Sequence, residues 1–115
     1  MSDTTSDVVV LYDAADKLKE EGKLDEAVEK LEAALAQDQQ YALAHSALAV
    51  ILQRMGKHED AVKHAARVCE LEPNEPFSYT AMSVTYQRAY AGTNNMDYIK
   101  LAEDAMERSR QLSQG

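Results

Sequence analysis

The chain has 115 residues, of which 45% are hydrophobic and 28% charged, and its formal net charge is −8 at pH 7. A chain of this length and composition is expected to fold as one small domain rather than remain disordered. The excess of acidic residues argues against nucleic acid and anionic membrane surfaces as partners, because phosphate groups are bound by clustered lysine and arginine side chains.

A spacing of 34 residues organises the sequence. Small and apolar residues recur at this interval, and the repeated pairs are Ala15/Ala49, Leu18/Leu52, Gly22/Gly56, Ala27/Ala61, Ala34/Val68 and Asp38/Glu72. A period of this size predicts stacked pairs of antiparallel helices, and such arrays usually bind other proteins.

The first hairpin is predicted to follow a flexible N-terminus at residues 1–7. Apolar residues at three- and four-residue intervals predict a helix that begins near Asp7 and ends at Glu21. Gly22 ends this helix, because glycine readily adopts the left-handed backbone conformation of a helix C-terminus. The second helix is predicted over residues 25–37.

The second hairpin repeats this pattern. Its two helices are predicted over residues 41–55 and 58–71, and Gly56 occupies the place of the first turn glycine. Pro73 then stops the chain of helical hydrogen bonds, because proline has no backbone N–H to donate.

The third hairpin departs from the period. Tyr90 stands where a turn glycine is expected, and Ala102 continues the alanine series seven residues later than the period requires. These two observations imply an insertion of about seven residues, which corresponds to about two helical turns. Helix five is therefore predicted to continue to Tyr90 or Ala91.

Further residues of the third hairpin indicate where its helices begin and end. Asn74 is predicted to cap helix five, and Pro76 lies in its first turn, where a missing N–H costs little. A turn is predicted at residues 92–95 and helix six at residues 96–112. Residues 113–115 are predicted to form a flexible tail.

These features resemble the tetratricopeptide repeat (TPR) family. The resemblance rests on the turn glycines, the alanines five residues after them and the sequence Leu-Glu-Pro-Asn at 71–74, and it extends from Val8 to about Leu112. In the first two units, Leu11 and His45 replace the large aromatic residue that the family usually carries near the start of each unit.

The resemblance implies an all-α, right-handed superhelix of three helix-turn-helix hairpins with six helices. The three units would span about residues 8–41, 42–75 and 76–112, the last extended by about seven residues. The first helix of each unit would line a concave groove. The implied function is that of a protein-protein interaction module, an adaptor, scaffold or small chaperone-like protein that binds a peptide or helix in this groove.

The resemblance also implies which residues line the groove. The corresponding positions here are Val9, Tyr12, Asp16, Lys19, Leu43, Ser46, Val50, Gln53, Arg54, Phe77, Thr80, Val84, Gln87 and Arg88. The apolar members expected to bury a partner are Val9, Leu43, Val50, Phe77 and Val84. The polar members expected to orient it are Tyr12, Gln53, Arg54, Gln87 and Arg88. The alternative is that the apolar residues belong to the core, or are covered by helix six or by a second copy.

One class of TPR partner is disfavoured. Family members that bind the acidic C-terminal tails of heat-shock chaperones use a clamp of Lys, Asn, Asn, Lys and Arg. The corresponding places here hold Tyr12, Asp16, Ala47, Phe77 and Ala81. None of these side chains is able to fix a carboxylate, and Asp16 would repel one.

Motifs for catalysis or ligand binding are weak, and we expect no enzyme activity, metal or cofactor. His58 and Glu59 begin like the helix motif of zinc proteases, but Val62 stands where the second histidine is required. His45 occupies a packing position, and Cys69 lies on an apolar stripe with no neighbouring cation, so structural roles are expected for both.

Self-assembly is the second functional hypothesis. Three units are near the minimum for a stable array, and no separate polar helix follows helix six to cap it. An uncapped end, or the edge at Val8–Leu11, would be able to stack on another copy. Near the insertion, Tyr86 is expected in the hairpin core, whereas Tyr90 and Tyr98 are candidates for a contact surface.

The expected location is the cytoplasm. A lone cysteine cannot form an internal disulfide, and the polar start of the chain followed by a short apolar run does not resemble a signal peptide. No stretch approaches the roughly 20 apolar residues of a membrane span.

Overall fold

The computed structural model describes the backbone of residues 4–114 and the side chains of residues 7–114. Six helices follow one another, namely α1 (Thr4–Glu20), α2 (Leu24–Gln37), α3 (Ala42–Arg54), α4 (His58–Leu71), α5 (Pro76–Thr93) and α6 (Asp97–Gln114). They pack as three antiparallel pairs, and each pair packs on the next. The predicted all-α fold of three hairpins is confirmed.

The first two turns have the same geometry, and glycine is the reason. Gly22 and Gly56 have φ angles of 81° and 79°, a left-handed conformation that glycine adopts without a steric penalty. The amide of Lys23 donates to the carbonyl oxygen of Leu18 at 2.8 Å, and Lys57 donates in the same way to Leu52. These bonds across the helix end satisfy carbonyl groups that would otherwise lack a donor.

The outer ends of the helical array differ from the prediction. Helix α1 begins at Thr4 rather than near Asp7, so the later part of the predicted flexible N-terminus is helical, whereas residues 1–3 lie outside the described residues. Helix α6 continues to Gln114, two residues beyond its predicted end at residue 112. The hydroxyl of Ser113 donates to the carbonyl oxygen of Ser109 at 2.9 Å, which supports this last turn. Gly115 lies outside the described residues.

The third hairpin is longer than the second, as the predicted insertion requires. Helices α5 and α6 have 18 residues each, against 13 and 14 in α3 and α4. Helix α5 ends at Thr93, beyond the predicted end, and Asn94 rather than Gly92 takes the left-handed conformation, with a φ angle of 60°. Asparagine is among the residues that tolerate this conformation.

The cap of α5 also differs from the prediction. Glu75 rather than Asn74 precedes the helix, and its carboxylate accepts a hydrogen bond from the amide of Phe77 at 3.1 Å. Pro76 occupies the first turn, as predicted. The carboxylate thus satisfies one of the amides that a helix N-terminus leaves without an intrahelical partner.

Small residues lie where the helices cross. Ala27, Ala34, Ala44 and Ala61 have no exposed surface, and they join larger side chains such as Leu31 in a core that extends over the first two hairpins. The small size of these alanines lets the helix axes approach to the usual distance of about 8–10 Å.

A second core cluster lies in the third hairpin. Tyr86, Ala102 and Ala105 are buried there, and the rings of Tyr86 and Tyr98 stack with centroids 6.0 Å apart. Tyr98, a candidate for a contact surface, is half-buried, and its ring packs within its own hairpin. None of the described helices is long and apolar enough to cross a membrane.

Candidate peptide-binding surface

The first helices of the three hairpins are neighbours, because α3 contacts both α1 and α5. Five apolar side chains on these helices are between 40% and 73% exposed, and we call them the first-helix face: Val9, Leu43, Val50, Phe77 and Val84. The alternative that these residues belong to the core is therefore wrong.

The outward direction of these side chains is fixed by their neighbours in the sequence. Val8, which precedes Val9, is buried, and so are Ala44 after Leu43 and Ser78 after Phe77. A helix that buries one side chain must turn the adjacent one by about 100°, because it has 3.6 residues per turn. Packing on the other side of these helices therefore keeps the first-helix face exposed, and the face needs no contacts of its own.

The face has two rows set by the 34-residue period. Val9, Leu43 and Phe77 occupy equivalent positions on α1, α3 and α5, and Val50 and Val84 form a second row on α3 and α5. The place of this second row on α1 holds Asp16, which forms an ion pair with Lys19 at 3.4 Å. The apolar surface is thus broader on α3 and α5 than on α1.

The polar residues predicted to line the groove differ in exposure and in the contacts they make. Arg54 and Arg88 are exposed, and among residues 7–114 neither lies within ion-pair distance of a carboxylate. Gln53 is half-buried. Tyr12 is half-buried too, and its ring packs edge-on against Tyr41 with centroids 6.1 Å apart. Packing therefore holds this phenol in one place at the edge of the face.

Two predicted groove positions face α6 instead of the neighbouring first helix. The hydroxyl of Thr80 lies 2.7 Å from the hydroxyl of Ser109 on α6. Gln87 donates from Nε2 to the hydroxyl of Ser83 at 3.2 Å, and it lines the space between α5 and α6. The third hairpin thus uses these polar positions partly for its own packing.

A second concave surface lies between α5 and α6, which we call the C-terminal groove. It has a volume of about 630 Å³ and is lined by Ser83, Gln87, Tyr90, Ile99, Ala102, Glu103, Met106 and Arg110. The repeat pattern indicates this groove, because the first and second hairpins are each covered by the next hairpin. Within the described residues, no hairpin covers the same surface of the third.

The possible reactive groups among residues 7–114 include side chains of the metal-ligating types and the single cysteine. No group of three or more His, Cys, Asp or Glu side chains within residues 7–114 is placed to hold a metal ion. Burial raises the pKa of the Cys69 thiol to about 11, with smaller contributions from Glu72 and Glu70. The thiol donates to the carbonyl oxygen of Ser78 at 3.4 Å. A protonated, buried thiol is a poor nucleophile.

Comparison with protein families matches residues 15–56 to the TPR repeat. This segment contains the end of α1, the whole of α2 and α3, and both turn glycines. No curated protein matches the chain significantly.

Solved structures share the fold over most of the chain. A crystal structure of MamA is 20% identical with a TM-score of 0.78, and the match covers 97% of this chain and 61% of that one. The second TPR of Spaghetti (RPAP3), bound to the HSP90 peptide SRMEEVD, is 19% identical over 92% of both chains with a TM-score of 0.73. The first TPR of Spaghetti, bound to the same peptide, is 16% identical with a TM-score of 0.62, and the match covers 96% of this chain and 95% of that one.

The predicted resemblance to the TPR family is confirmed over residues 15–56. Residues 15–56 are TPR repeat sequence, and the described chain has the fold of a TPR domain. At these identities the solved structures establish the fold alone, and the chain spans about three fifths of the length of the MamA chain.

Proposed function

We propose that this chain is a protein-protein interaction module that binds a peptide or a helix of a partner protein on the first-helix face. The observation that carries the proposal is the exposure of five apolar side chains at repeat-equivalent positions of α1, α3 and α5. Apolar rows on a rigid surface bind a partner by burying its apolar side chains. The corresponding role is that of an adaptor, scaffold or small chaperone-like protein.

The dimensions of the face suit a short segment. Neighbouring helix axes lie about 8–10 Å apart, so the row of Val9, Leu43 and Phe77 spans roughly 20 Å. An extended segment covers this distance with about six residues, and a helix covers it with about thirteen. The partner segment would therefore carry two or three apolar side chains that alternate in a strand or follow one helix face.

Charge would set the direction of the bound segment. Arg54 and Arg88 occupy equivalent positions on α3 and α5, and both are exposed. An acidic side chain beside the apolar residues of the partner would find a guanidinium group there, which binds carboxylates with two parallel hydrogen bonds. Tyr12 and Gln53 supply further hydrogen-bonding groups at the edges of the face, whereas Gln87 faces α6.

Two acidic substitutions on the face test the proposal. The wild type and a Leu43→Asp/Val50→Asp variant would each be tagged and used as bait in a native lysate, and recovered proteins would be identified by mass spectrometry. The expected result is a protein retained by the wild type and lost by the variant. Binding of that purified protein would then be measured by calorimetry.

A matched control separates the face from general surface apolarity. Met96 and Leu101 are also exposed apolar residues, but they lie in the turn before α6 and on α6 itself. A Met96→Asp/Leu101→Asp variant should keep the partner, and both variants should keep the helical circular dichroism of the wild type. A partner that binds the Leu43/Val50 variant as tightly as the wild type would show that the face is not the binding site.

A further inference from the structure

The hairpins of this chain stack on one another through repeat-equivalent residues. On the first hairpin, Ala15, Lys19 and Leu31 face Ala47 and Ile51 of α3. The space left between them is only about 10 Å³, less than one water molecule requires. This surface of the first hairpin is therefore filled by the helix that follows it.

The C-terminal groove is the same surface on the last hairpin. Ser83 and Gln87 follow Ala15 and Lys19 by two repeats, and Met106 follows Leu31 by two repeats plus the seven inserted residues. At these equivalent positions the open space is about 630 Å³ rather than about 10 Å³. The groove therefore has the shape of a socket for the first helix of a hairpin.

Helix α1 carries the surface that fits such a socket. The repeat equivalents of Val10 are Ala44 and Ser78, which are 0% and 5% exposed, whereas Val10 is 63% exposed. At the contact between the second and third hairpins, the carbonyl oxygen of Ser78 accepts a hydrogen bond from the thiol of Cys69 on α4. Val10 therefore occupies a stacking position that no other hairpin of the described residues covers.

Both surfaces carry charges of both signs. Asp13 and Lys17 on α1 occupy the places of Ala47 and Ile51, and Glu103 and Arg110 lie on the wall of the C-terminal groove. Within residues 7–114, Asp13, Lys17 and Glu103 form no ion pair, and Arg110 is paired with Glu107 at 2.7 Å. A docked α1 would bring Asp13 and Lys17 to a wall that carries one charge of each sign.

We propose that copies of this chain stack head to tail, with α1 of one copy docked in the C-terminal groove of another. The contact joins two different surfaces, so each added copy leaves one groove and one α1 open. Because the contact repeats the way in which successive hairpins stack into a solenoid, the assembly continues as an open chain whose length grows with concentration. This interface is separate from the first-helix face and does not depend on peptide binding there.

Complementary variants test this geometry. Val10→Glu places a charge on α1, and Met106→Glu places one in the groove, so each variant alone should remain a monomer. Mixed together they should form heterodimers and nothing larger, because one partner supplies an intact groove and the other an intact α1. The measurement is sedimentation velocity over a wide concentration range, in which the wild type should show a mass that rises continuously.

Two further variants distinguish the proposed contact from a loss of folding and from a contact at the first-helix face. Glu103→Arg changes an exposed residue of the groove, so it replaces Met106→Glu if that variant loses its helical circular dichroism. Leu43→Asp/Val50→Asp should assemble like the wild type. Loss of assembly in this last variant would place the self-contact on the first-helix face and overturn the proposal.

The remaining outcomes also decide the question. A wild type that stays monomeric at every concentration, or a closed dimer that survives Val10→Glu, would overturn the proposal. A monomeric wild type that captures another protein from a lysate, lost only by the Met106→Glu variant, would assign the groove to a different partner.

Discussion

The rings of His45 and His64 meet with Nδ1 atoms 2.9 Å apart across the contact between α3 and α4. Nε2 of His45 lies 2.9 Å from the carbonyl oxygen of Gln39, which only accepts hydrogen bonds, so this nitrogen carries a proton. In the neutral pair, Nδ1 of His45 then accepts from Nδ1–H of His64. Two protonated rings would direct two donors at each other.

This pair predicts a loss of stability in mild acid. Burial lowers the pKa of His64, the charge of His45 lowers it further, and Asp60 opposes part of this effect. The folded protein therefore binds fewer protons than the unfolded protein once the pH falls below about 6.5, the usual pKa of histidine. The free energy of unfolding should be largest above that pH and decrease as the pH falls toward the lowered pKa of the folded state.

Urea unfolding at several pH values checks this prediction. The wild type should lose stability between about pH 7.5 and pH 5, and a His64→Gln variant should lose less over the same interval because its folded state has no such histidine. An equal loss in both proteins would show that other groups cause the pH dependence.

Gly92 is predicted to be required for the packing of His58. An alanine Cβ at this position would lie 2.7 Å from Cδ2 of the imidazole ring. Alanine in place of a helical glycine usually stabilises by about 1 kcal/mol, but here the ring must move, and overpacking of this kind costs about 1–3 kcal/mol. Gly92→Ala should therefore lower the free energy of unfolding, measured by urea titration.

A double variant separates the helix propensity of alanine from its overpacking against His58. In a His58→Ala background the obstacle is absent, so adding Gly92→Ala should now stabilise the protein. If Gly92→Ala stabilises the wild type itself, the packing of the ring on this glycine is not a constraint.

The same glycine shows where sequence-based prediction succeeded and where it did not. Gly22 and Gly56 were correctly predicted as turns because a left-handed helix end is the commonest reason for glycine at that place. Gly92 was assigned to a turn for the same reason, yet it lies within α5. Its role depends on His58, 34 residues earlier in the chain, and no local signal reports such a contact. Asn94 makes the turn instead.

The candidate site also has features that the sequence predicted and contacts that it did not. The resemblance to the TPR family implied that Val9, Leu43 and Phe77 line one face, and these side chains are exposed in the structure. The contact of Thr80 with Ser109 was missed, because it depends on how α6 packs on α5 after the insertion. Periodicity fixes which positions are equivalent, whereas individual contacts depend on packing.

Ser83 is predicted to stabilise the crossing of α5 and α6. This side chain has no exposed surface, and its hydroxyl donates to the carbonyl oxygen of Ala102 at 2.8 Å. Ser83→Ala should cost about 1 kcal/mol through the lost hydrogen bond, and Ser83→Leu should cost more because the crossing has no room for it. The exposed Ser46→Ala is the control for helix propensity and should change the free energy of unfolding by less than about 0.5 kcal/mol. A neutral Ser83→Ala would show that the hydrogen bond contributes nothing.

The acidic peptide SRMEEVD, which the Spaghetti domains bind, is predicted not to bind this chain. The clamp positions hold aromatic, small or acidic side chains, and Asp16 is already paired with Lys19 at 3.4 Å. Calorimetry with the labelled peptide should detect no binding by the wild type under conditions in which the second Spaghetti domain binds. Binding of comparable strength would show that other cations, such as Arg54 and Arg88, replace the clamp.

Transfer of the clamp tests whether the face has the geometry that the repeat pattern assigns to it. The five changes are Tyr12→Lys, Asp16→Asn, Ala47→Asn, Phe77→Lys and Ala81→Arg. Because the helices that carry these positions are fixed by packing on the opposite side, the new side chains should converge on the peptide carboxylates and produce binding that salt weakens. A variant that keeps its helical circular dichroism but does not bind would show that the first helices are not placed as in the peptide-binding relatives.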